Sequence, residues 1–67
     1  MDPTGIFTIP ARRFMWGLHK AGWEVGGIQM RLLIREAQKV AKERKAKQIG
    51  RNHLEAALER LAQEATP

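Results

Sequence analysis

The sequence predicts an all-α domain, a small bundle of three main helices over about 10–21, 27–46 and 51–64. Three observations carry that expectation. Apolar residues recur at spacings of three and four in three separate runs, the period of one helical face. Proline or glycine punctuates the runs where helices start and stop. No segment alternates apolar and polar residues in the manner of a half-buried strand.

Residues 1–9 form a leading arm or linker, and 10–67 the helical domain. Pro3, Gly5 and Pro10 interrupt regular structure in the arm, and Ile6, Phe7 and Ile9 are its apolar points. The arm either packs on the domain in extended form or frays. Pro10 suits the first helical position, where its missing N–H goes unnoticed. Ala11, Phe14, Met15 and Leu18 follow at helical spacing, and Gly22 stands where a left-handed cap would end the helix. Trp16 and Trp23 lie at the edge of this element, and in so small a core they read first as packing anchors.

Gly26-Gly27 opens the second helix as a tight turn; the alternative is a pair of backbone N–H groups offered to an anion. Met30, Leu33, Ile34, Ala37, Val40 and Ala41 form its apolar stripe. Arg31, Arg35, Gln38, Lys39, Lys42 and Lys45 take the opposite face, and Glu36 is placed to pair with Lys39. In the joint "AKQIGRNHL", Gly50 as N-cap sets Ile49 and Leu54 at the spacing of a hydrophobic staple. The third helix then buries Leu54, Ala57, Leu58, Leu61 and Ala65.

A chain of 67 residues buries little surface, so each core side chain is a large share of its stability. With no cysteine there is no disulfide framework and no thiolate metal site. The expected setting is the cytoplasm or another reducing compartment. Met1 is followed by Asp2 and Pro3 rather than by a basic region and an apolar core, so no secretory signal is expected. No apolar run approaches the ~20 residues that span a bilayer, so no membrane partner is expected.

The net charge of +5 is local. Lys39, Lys42, Arg44, Lys45, Lys47 and Arg51 stand against Glu43 alone, and the remainder of the chain is balanced. This exceeds what a helix dipole calls for. Lys39, Lys42, Lys45, Lys47 and Arg51 are therefore the candidate surface for nucleic acid or an acidic protein partner, if the joint sets Arg51 beside the end of the second helix. The same bases also read as a solvated helix end.

Catalysis finds little support. Cysteine, serine and tyrosine are absent, and His19 and His53 lie on different helices with no carboxylate or metal-ligand spacing around them. His53, at the third position of its helix, reads as a capping-turn residue. Glu55, Glu59 and Arg60 read as solvated surface. No phosphate-binding glycine loop is present. The chain alone is expected to be no enzyme, with no metal and no cofactor of its own.

The stretch "GGIQMRLLIREAQKVAKERKAKQIGRNHLEAALERL", Gly26 to Leu61, resembles the C-terminal helical lid of AAA+ ATPases. There a glycine-led helix of pattern G-x-x-x-R-x-L-x-x-E-A-x-x-x-A precedes an isoleucine or valine link and a last helix reading H-L-x-x-A-L. The resemblance covers about half of the chain, and its motifs are mostly packing positions. It implies a non-catalytic module making protein–protein or nucleotide-linked subunit contacts within a larger ATPase or protein complex. It also implies that Arg31, with Arg35 as rival, occupies the sensor position that reaches nucleotide phosphates. ATP would enter only through a parent ATPase core, since this chain carries no Walker motif. The histone fold shows a similar rhythm in its last loop and helix but needs a longer middle helix. A small domain found with dark-operative protochlorophyllide reductase is also similar. The alternative function is a free-standing basic module that binds DNA, RNA or an acidic protein.

Overall fold

The computed structural model describes residues 6–65, without the side chain of Ala65. Three helices follow in order: α1 (Ile9–Lys20), α2 (Ile28–Glu43) and α3 (Arg51–Ala65). α3 lies against both α1 and α2, while the backbones of α1 and α2 stand apart, with no Cα pair within 8 Å. The three expected helices are present, and the differences lie at their ends.

α1 starts one residue earlier than Pro10 predicted. Thr8 is the N-cap, its hydroxyl accepting the Ala11 N–H at 3.2 Å, which leaves Pro10 at the second helical position. Gly22, at φ +116°, closes α1 in a Schellman turn. Its N–H donates to the His19 carbonyl and the Trp23 N–H to the Leu18 carbonyl, both at 3.0 Å. Trp23 and Leu18, the pair that such a turn brings together, both pack on the core.

Gly26 takes φ +77° in the turn from Glu24 to Gly27, closed by the Gly27 N–H on the Glu24 carbonyl at 3.1 Å. That is the third position of a four-residue turn, where a positive φ favours glycine. The paired glycines thus form the expected tight turn, and Gly27 is the N-cap of α2.

α2 ends at Glu43, three residues short of the expected Ala46. A second Schellman turn stops it. The Lys45 N–H reaches the Lys42 carbonyl at 3.0 Å and the Ala46 N–H reaches the Ala41 carbonyl at 2.8 Å. Here the left-handed residue is Lys45, at φ 56°. The apolar stripe itself ends at Ala41, and no glycine or proline follows before Gly50, so the sequence carried no stop signal at Lys45.

The core consists of Ala11 from α1, Met30, Leu33, Ala37 and Ala41 from α2, Ile49 from the joint, and Leu54 and Ala57 from α3. Phe14, Met15, Leu18, Ile34, Leu58 and Leu61 pack around it half-buried. Ala65, also expected in the core, has its side chain outside the described residues. Alanines at four central positions let the helices approach closely, so α3 can sit against both neighbours.

Residues 6–8 of the arm pack on the domain, and residues 1–5 lie outside the described residues. Phe7 and Ile49 form an isolated parallel bridge. The Thr8 N–H donates to the Ile49 carbonyl at 3.0 Å, and the Ile49 N–H to the Ile6 carbonyl at 2.7 Å. The segment entering α1 is thereby tied to the one entering α3.

Candidate functional site

The joint is built around its own backbone. The Gly50 carbonyl accepts the Leu54 N–H at 3.2 Å, which makes Gly50 the cap of α3 as expected. Its N–H, buried, donates to Nδ1 of His53 at 2.8 Å. His53 therefore reaches back from the third helical position as the glutamate of a capping box does, and carries its proton on Nε2. Ile49 and Leu54 are both buried in the one core cluster.

The expected basic residues fall into two groups. Lys42 lies in the last turn of α2, and Lys45 and Lys47 sit beyond its end in the link. None of these three has an ion pair among the described residues. Lys39 pairs with Glu36 at 3.3 Å, as expected. Arg51 has two contacts of its own. Its Nε donates to Glu55 at 2.7 Å, and its guanidinium lies 5.7 Å from the centre of the Phe14 ring on α1. The joint therefore sets Arg51 against α1, where Phe14 offers an aromatic face that a cation covers.

Arg60, expected as plain surface, is an inter-helix tie. Its two terminal nitrogens donate to the two oxygens of Glu43 at 2.8 and 2.9 Å, a fork-to-fork pair joining the end of α2 to α3. The Arg60 hydrogen bond holds the Glu43 carboxyl below the usual glutamate range, and the Glu43 carboxylate in turn raises Arg60. The partners are 17 positions apart, beyond any within-helix spacing rule.

Arg31 stands exposed in the second turn of α2 with no ion pair among the described residues. A side-chain oxygen of Glu24 lies 3.4 Å from where a Cβ of Gly27 would stand. It sets a negative charge beside the N-terminus of α2, in competition with any anion drawn to the helix dipole there. Among the described residues no group of three or more His, Asp or Glu side chains is placed to hold a metal ion. No helix among the described residues is long and apolar enough to cross a membrane.

The feature that sequence reasoning missed is apolar. Trp16 is 57% exposed, Val25 67%, Ile28 77% and Leu32 43%. Trp16, expected as a packing anchor, instead lies on the surface, its ring 5.3 Å from the His19 ring and 5.9 Å from the Lys20 ammonium. Trp23 fits the anchor role, half-buried on the core. Because α1 and α2 stand apart, a groove of about 300 Å³ opens between them, floored by Met15, Trp16, Val25, Met30 and Ile34. Ile28 and Leu32, four apart on the outer face of α2, line a separate hollow with Arg31 and Arg35. The available signal was that Ile28 and Leu32 fall off the α2 stripe. Comparison of the chain with protein-family models, curated proteins and solved structures found no match.

Proposed function

We propose that this chain is a non-catalytic helical module that works through protein contacts within a larger assembly, in the manner of the lid of a AAA+ ATPase. The observation that carries the reading is the exposed apolar surface of Trp16, Val25, Ile28 and Leu32. Trp16 and Val25 line the groove and Ile28 and Leu32 the outer face of α2, and large apolar side chains left this exposed beside a closed core point to interaction surface. The lid-like rhythm from Gly26 to Leu61 agrees with it, and Arg31 stays available for a nucleotide held by a parent core. The test is the native size of the protein, by mass and by gel filtration, for wild type and for the double variant Trp16→Glu, Leu32→Glu. The module reading expects wild type in a species well above 7.6 kDa and the variant released from it with its melting temperature unchanged. Wild type running as a free chain contradicts the reading.

A second reading is favoured by Lys42, Lys45 and Lys47, close in sequence and free of ion pairs among the described residues. Three phosphate contacts give a log–log salt slope of about −3 on duplex DNA. Changing all three lysines to glutamine flattens that slope if they bind phosphates, and leaves it unaltered if they are a solvated helix end.

A further inference from the structure

The groove between α1 and α2 has an apolar floor and a basic rim. Arg12 and His19 line it from α1, and Arg12 and Trp16 continue it toward Ile9 and Arg13. Lys20 adds a second cation on the same helix, its ammonium 5.9 Å from the centre of the Trp16 ring. Arg31 and Arg35 lie with Ile28 and Leu32 on the outer face of α2, outside the groove. α1 contains no acidic residue, and the two acids of α2 are engaged elsewhere, Glu36 with Lys39 and Glu43 with Arg60. Glu24, in the turn between the helices, lines a neighbouring hollow that meets the groove at Gly26. A second copy of this chain facing the groove would oppose cation to cation. A plain apolar segment would leave the rim cations without partners.

From the apolar floor and the cationic rim together, we infer that the groove docks an amphipathic helix whose apolar stripe is flanked by glutamate or aspartate. The span from Arg12 to His19 is roughly 10 Å at the rise of an α-helix, the length of two turns, so the partner contributes two or three apolar anchors at i, i+3 or i+4. Trp16 is the anchor on this side, with a large face at little entropic cost. Arg12 and Lys20 set orientation and speed encounter, so association weakens as salt rises. The inference rests on the protein-contact reading and names its partner.

The experiment titrates the isotope-labelled chain with three synthetic peptides of about fourteen residues, roughly four helical turns. One has a leucine stripe flanked by glutamates, one has the same composition scrambled, and one has the stripe flanked by lysines. The glutamate peptide is expected to shift the amide and indole signals of Met15, Trp16, Val25 and Ile34, and the other two to bind at least about tenfold more weakly, as loss of stripe or of charge complementarity demands. Trp16→Ala, and separately Arg12→Gln with Lys20→Gln, each weaken the glutamate peptide by about tenfold while the unperturbed amides show the fold intact. Equal binding of the scrambled peptide overturns the groove as the site. Equal binding of the lysine peptide overturns the charge argument. Self-association through Trp16, or duplex DNA shifting these signals where the glutamate peptide does not, overturns the partner. Failure of the glutamate peptide while the native assembly still depends on Trp16 and Leu32 removes the acidic helix alone; loss of that assembly removes the protein-contact reading beneath it.

Discussion

His53 decides how α3 begins. The buried Gly50 N–H has the His53 Nδ1 as its acceptor, and a buried donor left unmatched costs about 1–3 kcal/mol. His53→Leu keeps bulk and loses the acceptor, so it should lower stability by about 1–2 kcal/mol. His53→Gln, the capping-box residue for that position, should recover part of it. Chemical denaturation of both variants checks the order. Lys45 presents the opposite case, a side chain where the backbone prefers none. At φ 56° it ends α2 in a conformation that disfavours a Cβ, and Lys45→Gly should raise stability by about 1 kcal/mol. An unchanged or lowered denaturation midpoint refutes that account. Gly22 could be read from the sequence because glycine is the usual residue of such a turn. Lys45 could not, because nothing in its chemistry announces a left-handed backbone.

At the scale of elements, the joint and the arm hold the helices in place. Ile49 lies in the core through its side chain and in the bridge to the arm through its backbone. Ile49→Ala and Leu54→Ala should each lower stability by about 2–4 kcal/mol, the range for buried aliphatic truncations. In a domain this small, that is most of what is available. Midpoints that stay where they were exclude the staple. The Glu43–Arg60 tie adds a pH dependence. Because the carboxyl of Glu43 is lowered in the fold, its contribution is complete above the unfolded glutamate value of about 4.3 and disappears as pH falls through the lower folded value. Melting curves of wild type and Glu43→Gln should therefore differ at neutral pH and converge below that window. Convergence only above pH 7 contradicts the assignment. The raised Arg60 titrates beyond any working pH and adds nothing there. The three stripes were legible because burial in a helix has a period that a sequence displays. The arm bridge, the Arg51–Phe14 contact and the Glu43–Arg60 tie were not, because each joins segments whose separation no local period records.

For the whole molecule, the separation of α1 and α2 matters most. With α3 against both of them, one side of the bundle closes and the other opens a groove. Sequence placed the lysines after Val40 correctly as a local charge, yet it had no means of showing that Trp16 faces outward, since periodicity says which residues share a face and not which face finds a partner. The bundle consequently offers two surfaces of different character: the apolar groove with Arg12 and Lys20 along α1, and Lys42, Lys45 and Lys47, without ion pairs among the described residues. Photo-crosslinking from each in the native setting compares them directly, with benzoylphenylalanine introduced at Trp16 in one variant and at Lys42 in another. The account predicts a protein adduct from position 16 that competes with the glutamate-flanked peptide, and a weaker yield from position 42. Nuclease-sensitive adducts from position 42 with none from position 16 would contradict it.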